Sequence, residues 1–131
     1  MSKIKALSKY LGEDKDEIEE TKWDTLEFGN QEYLVLTDDE ADQRAADYIK
    51  ESIWTFNSNF LLYYLPEGID ENTIKIIQEK CEDANEPLKN MIVDLDQFVE
   101  DAISADGRGH FLAGYDGNEY EQDKYFIYRV N

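Results

Sequence analysis

The run Trp23-Asp24-Thr25-Leu26-Glu27-Phe28-Gly29-Asn30-Gln31-Glu32-Tyr33-Leu34-Val35-Leu36, followed at once by Thr37-Asp38-Asp39-Glu40, decides the fold class. Two β-rich segments, 23–28 and 33–36, stand on either side of a Gly-Asn dipeptide, which supplies the positive φ that a tight hairpin turn needs. Thr37 and Glu40 form a capping box: the Thr37 hydroxyl accepts from the Glu40 N–H, and the Glu40 carboxylate reaches back to the Thr37 N–H. Acids at 38–40 also suit the positive end of the helix dipole. A hairpin that hands directly to a helix points to an α+β chain.

Working outward, the helix begun at Thr37 is predicted to run to about Ile53, with Ala41, Ala45, Tyr48, Ile49 and Ser52 on one face. Glu40, Asp47 and Glu51 fall together on the other face, with Arg44 beside them as an i,i+4 partner for Glu40. Toward the N-terminus, Ile4, Leu7, Tyr10 and Leu11 recur at helical spacing and stop at Gly12. Beyond residue 53, Asn57-Ser58 opens a short apolar helix closed by Pro66. Asp70 caps another, with Ile74, Ile77 and Cys81 turned inward, and Ala84, Leu88, Met91 and Ile92 mark a further one. Leu95, Phe98, Val99, Ala102 and Ile103 follow i, i+3, i+4, i+7, i+8 up to Asp106-Gly107, with Asp94, Asp96, Glu100 and Asp101 facing away. The C-terminus reads as a second hairpin, with strands His110–Tyr115 and Lys124–Val130 around Asp116-Gly117-Asn118. The expectation is one acidic α+β domain over residues 1–131: two β-hairpins flanking a central run of about four helices. The hairpins could join in one antiparallel sheet.

Composition restricts function more than fold. The 131 residues include 31 Asp or Glu and 13 Lys or Arg, a net charge of −18. Hydrophobic residues at 41% and aromatics at 13% are too many for a disordered acidic tail. Such a charge excludes an ordinary binder of nucleic acid, which neutralises phosphates with Lys and Arg, and a binder of anionic membranes. The single cysteine asks for no oxidising compartment. The longest uncharged stretch, 52–66, falls short of the roughly 20 residues that cross a bilayer. A soluble, cytoplasmic protein is expected. The acid is spread along the chain, with one dense block at Glu13, Asp14, Asp16, Glu17, Glu19 and Glu20. An excess of 18 is well beyond the net charge of about 2–8 that solubility asks of a small domain.

Catalytic and metal chemistry find little support. His110 is the only histidine and lies away in sequence from Cys81, at the start of an expected strand, so a structural role is favoured over a triad. Cys81 reads as a buried, inert thiol on the apolar face of its helix. One His and one Cys exclude the usual structural zinc sets. Asp116-Gly117-Asn118-Glu119 starts like a calcium loop, but Glu121 stands where that loop needs glycine. Gly107-Arg108-Gly109 is a loop and not a phosphate cradle. No enzyme, cofactor or metal is expected. The aromatics of the uncharged stretch, Trp54, Phe56, Phe60, Tyr63 and Tyr64, read as core, with part of the stretch offering a homodimer face.

The segment Asp94-Leu95-Asp96-Gln97-Phe98-Val99-Glu100-Asp101, then Gly107-Arg108-Gly109-His110-Phe111-Leu112 and a Tyr-rich ending, resembles small acidic proteins of bacteriophages and mobile elements. In particular it is similar to antirestriction proteins that mimic DNA. The resemblance covers about 40 of the 131 residues. It implies an inhibitor of a host defence nuclease or of its DNA-recognition subunit, commonly dimeric. The charge arithmetic agrees: 18 net charges equal those on about 30 Å of duplex, and a globule of this length is about 36 Å across. The expected partner is then a basic nucleic-acid-binding protein of the host. The candidate carboxylates are Glu13, Asp14, Asp16, Glu17, Glu19, Glu20, Glu40, Asp47, Glu51, Asp94, Asp96, Glu100 and Asp101. The alternative is an immunity-type or adaptor protein that binds one basic partner without mimicry.

Overall fold

The computed structural model describes residues 2–131. By internal packing the chain forms two compact units, residues up to 45 together with 106–131, and residues 46–105. Together they make an α+β protein in which strands from both chain ends build a single antiparallel sheet.

In the first unit, α1 (Lys3–Leu11) starts at Ser2, whose hydroxyl accepts from the Lys5 N–H, and stops at Gly12. Gly12 sits at φ 71° and donates its N–H to the Ser8 carbonyl, the left-handed ending that glycine adopts without strain. A 3₁₀ turn (Lys15–Glu17) leads to β1 (Ile18–Glu20), β2 (Leu26–Phe28) and β3 (Gln31–Leu36). At the other end of the chain come α7 (Arg108–Leu112), β4 (Tyr120–Gln122) and β5 (Tyr125–Arg129), so the sheet order is β1-β2-β3-β5-β4. Pairing of β3 with β5, Leu34 opposite Tyr128 and Leu36 opposite Phe126, joins the two expected hairpins. Tyr33, Leu34, Val35 and Leu36 are all buried, because both faces of β3 are covered. On one face Leu7 of α1 packs with Ile18, Leu26, Tyr33, Val35 and Ile127. On the other lie Leu34, Leu36, Phe126 and Tyr128, with α7 packed on β5.

The second unit holds only helices. It contains the C-terminal part of α2 (Asp38–Glu51), then a 3₁₀ turn (Ile53–Thr55), α3 (Ser58–Leu62) and α4 (Glu71–Gln78). A second 3₁₀ turn (Cys81–Ala84), α5 (Asn85–Met91) and all but the last residue of α6 (Leu95–Asp106) complete it. Phe98 is fully buried and gathers Phe56, Phe60 and Tyr64 at centroid distances of 5.1–5.5 Å. The irregular stretch after α2 satisfies its backbone through side chains. Asn85 accepts from the Trp54 N–H and donates to the Lys50 carbonyl, while Gln78 donates to the carbonyls of Trp54 and Phe56.

Several expectations are corrected. Residues 110–115 form no strand: α7 occupies Arg108–Leu112, and the buried positions Gly109, Leu112 and Ala113 follow i, i+3, i+4. The hairpin turn lies at Asp123-Lys124 instead, between paired Gln122 and Tyr125. The acidic block contains a strand, β1, that its charge concealed. Cys81 is exposed, because α4 ends at Gln78 and leaves Cys81 in a left-handed residue at φ 55°. Tyr48 and Tyr63, both expected inward, are 51% and 89% exposed.

Candidate interaction surface

The capping box forms as its sequence demands, with Glu40 accepting from the Thr37 N–H at 2.9 Å and Thr37 accepting from the Glu40 N–H at 3.2 Å. Glu40 also pairs with Lys3 at 3.0 Å. The Thr37 N–H, then Lys3, hold its carboxyl below the ordinary value. Glu40 is thus engaged inside the first unit, and Asp47 and Glu51 of the expected stripe are exposed on α2. Glu13, Asp14, Asp16 and Glu17 are exposed on the connection from α1 to β1, where Asp14 caps the 3₁₀ turn by accepting from the Asp16 N–H. On α6, Asp96 and Glu100 are exposed, and Asp94 accepts from the Gln97 N–H as the helix cap. Asp101 is half-buried, accepting from the Tyr64 hydroxyl at 2.6 Å and from Gln97 Nε2 at 2.8 Å. Burial, then this bond to Asp101, pushes the Tyr64 phenol up to about 12.

Glu19 and Glu20 separate to opposite faces of β1, as adjacent strand residues must. Glu20 stands beside Leu26, on the α1 side of the sheet. There it lines a cleft of about 290 Å³ with Ser2, Lys3, Thr21, Asp24 and Thr25. Two of the three ions lining that cleft are paired, Lys3 with Glu40 and Asp24 with Arg44.

Glu19 has different company. It lies directly opposite Glu27 on β2, which lies directly opposite Glu32 on β3. Three glutamates therefore share one face in a row across three strands, with steps of about 4.8 Å. Like charges directly opposite one another destabilise a sheet. The row lines a groove of about 330 Å³ with Glu20, Thr21, Lys22 and Trp23, and among the described residues lining it Lys22 is the cation. Trp23 is 71% exposed, and Lys22 Nζ is 5.4 Å from its ring centroid. Glu27 and Glu32 escaped the sequence reading, although a two-residue Gly29-Asn30 turn sets 27 opposite 32 by counting alone.

Basic side chains are mostly used within the fold. Arg108, whose side chain is only 11% exposed, reaches Asp38 at 2.9 Å, Asp42 at 3.0 Å and Glu119 at 2.8 Å, and lies 4.6 Å over the Phe126 ring. Burial opposes its charge, but the bonds to Glu119 and Asp38 outweigh burial and hold it above its ordinary value. The Tyr128 hydroxyl donates to the same Glu119. Burial, then that bond, raises the Tyr128 phenol. The Gly-Arg-Gly segment is thus a tether between α7, α2 and the β4–β5 hairpin. His110 is exposed on α7, its ring edge-on to Phe111.

Among the described residues no three His, Cys, Asp or Glu side chains converge so as to hold a metal ion. Nor is any described helix long and apolar enough to cross a membrane. Charge is shared evenly. The first unit has 18 acidic against 9 basic residues and the second 13 against 4, so each carries −9. No protein-family model matches the chain, and no curated protein and no solved structure matches it either.

Proposed function

We propose that this chain is a non-enzymatic inhibitor that occupies the nucleic-acid-binding site of a basic host protein, such as a restriction or other defence protein. Its carboxylates would stand where phosphates otherwise lie. The observation that carries the reading is the row Glu19–Glu27–Glu32. A sheet gains nothing from two successive like-charge oppositions, whereas a basic groove gains from a fixed, closely spaced line of anions. The exposed acids at 13–17, 47, 51, 96 and 100 extend negative charge over both units.

The test is competition. The protein is used as bait in host lysate, and bound proteins are eluted with rising salt or with duplex DNA. Release of a DNA-binding subunit by DNA, together with weakened capture by the triple variant Glu19→Gln, Glu27→Gln, Glu32→Gln, is the expected result. A partner held equally with and without DNA overturns mimicry and leaves the immunity-type reading in its place.

A further inference from the structure

Tyr63 at 89% and Val93 at 75% exposure are the most exposed large hydrophobic residues of the described chain. They are neighbours through the backbone, because the Val93 N–H donates to the Tyr64 carbonyl at 2.9 Å. Between them, Tyr64 is held from two sides. The Tyr64 ring sits edge-on to buried Phe98 at 5.1 Å, and its hydroxyl is fixed on Asp101. The Tyr63 ring lies 6.2 Å from the Tyr64 ring, tilted by 52°. Next to Val93, Asp94 is held by its cap bond to Gln97. An aromatic ring and an aliphatic side chain thus face solvent on two segments joined by a backbone bond, with a capped carboxylate next to the valine.

From this we infer that Tyr63, Val93 and Asp94 form a docking point for an arginine side chain of a protein partner. The charge selects the occupant. A second copy would bring another −18 against this one, and a purely apolar partner would strip water from Asp94 without replacing its interactions. A guanidinium satisfies all three groups: its flat face stacks on the ring, its stem covers the valine, and its N–H fork meets the carboxylate. Arginines of this molecule already lie over aromatic rings elsewhere. Arg108 lies over Phe126 while bonding to three carboxylates, and Arg129 lies 3.6 Å over Tyr115. Rigid aromatic anchors of this kind dominate binding energy where they occur. The contact stands whether or not the glutamate row replaces phosphates.

The full-length ¹⁵N-labelled chain is titrated with the peptide acetyl-Ala-Arg-Ala-Arg-Ala-amide and with its lysine counterpart, and amide shifts are followed. Saturable shifts at Tyr63, Val93 and Asp94, stronger for the arginine peptide, are expected. Tyr63→Ala should weaken that peptide about fivefold, the order of a cation–π contact, and Tyr63→Phe should retain it. Equal binding of both peptides with shifts spread over all the acidic surfaces overturns the inference, as does full affinity in Tyr63→Ala. Because Tyr63 is so exposed the variants fold, and Val93→Ser provides a second check. Glu19→Gln, Glu27→Gln, Glu32→Gln leaves this titration unchanged, which separates the present inference from the proposed function.

Discussion

At Lys124 the backbone is left-handed, φ 69°, one residue after Asp123 at φ 55°. Two successive positive φ values between paired strand residues describe a type I′ turn, for which Asp-Gly is the favoured pair. A side chain there costs about 1 kcal/mol or more, partly offset by the extra unfolded-state freedom of glycine. Lys124→Gly should therefore stabilise by about 0.5 kcal/mol, read as a higher denaturant midpoint at unchanged slope. Tyr64 gives a prediction about pH. Its phenol ionises near 12 in the fold, against 10.0 for an ordinary tyrosine. The neutral form is favoured in the folded state, so its contribution is complete below pH 10 and is lost as pH rises toward 12. Tyr64→Phe should flatten the fall of stability across that range, measured by urea unfolding at stepped pH. Single residues were unevenly legible: the Thr37–Glu40 box was readable because its bonds are local. Cys81 was not, because an apolar stripe from Ile74 continues only while the helix does, and α4 stops first.

At the scale of elements, α7 is held close to the segment that follows it. A Cβ on Gly109 would meet Gly117 O at 2.6 Å, Asn118 C at 2.8 Å and Glu119 N at 2.9 Å, all backbone atoms. Gly109→Ala should destabilise by about 2 kcal/mol, as overpacking does, seen as a lower thermal midpoint. The sheet yields the opposite sign. Glu27 faces both Glu19 and Glu32, so Glu27→Gln removes two repulsions at once. It should raise stability by about 0.5 kcal/mol at low salt, with the gain disappearing at 1 M salt, while weakening capture of the proposed partner. Strongly periodic elements such as α2 and α6 were legible from sequence. The segment 110–115 was not, because a short apolar run of Phe111-Leu112-Ala113 carries no period of its own. Packing of Gly109 against the backbone of residues 117–119 goes with the helix instead. β1 was hidden for a different reason: two of its three residues are glutamates, and only pairing with β2 makes them a strand.

For the whole molecule, the charge of −18 sets two opposite salt dependences. Raising ionic strength from about 0.01 to about 0.15 M shortens the screening length from about 30 to about 8 Å. Self-repulsion eases, so the thermal midpoint should rise, whereas binding to the proposed basic partner should weaken over the same range. Thermal scans and a salt series of partner affinity, run on one preparation, test both. Total charge was legible from composition alone. Which carboxylates belong to the fold was not, since Glu40, Asp94 and Asp101 are assigned by bonds to Lys3, Gln97 and Tyr64, and only some of those partners are close in sequence. The sheet carries a last consequence. Its two outer strands, β1 and β4, are three residues each and contain Glu19, Glu20 and Glu121. Such short, charged margins refuse the addition of a neighbouring molecule's strand. Near pH 4.2, where the net charge vanishes, that refusal lapses. The acid that would serve the proposed contact with a basic partner also guards copies of the chain against joining through their sheets.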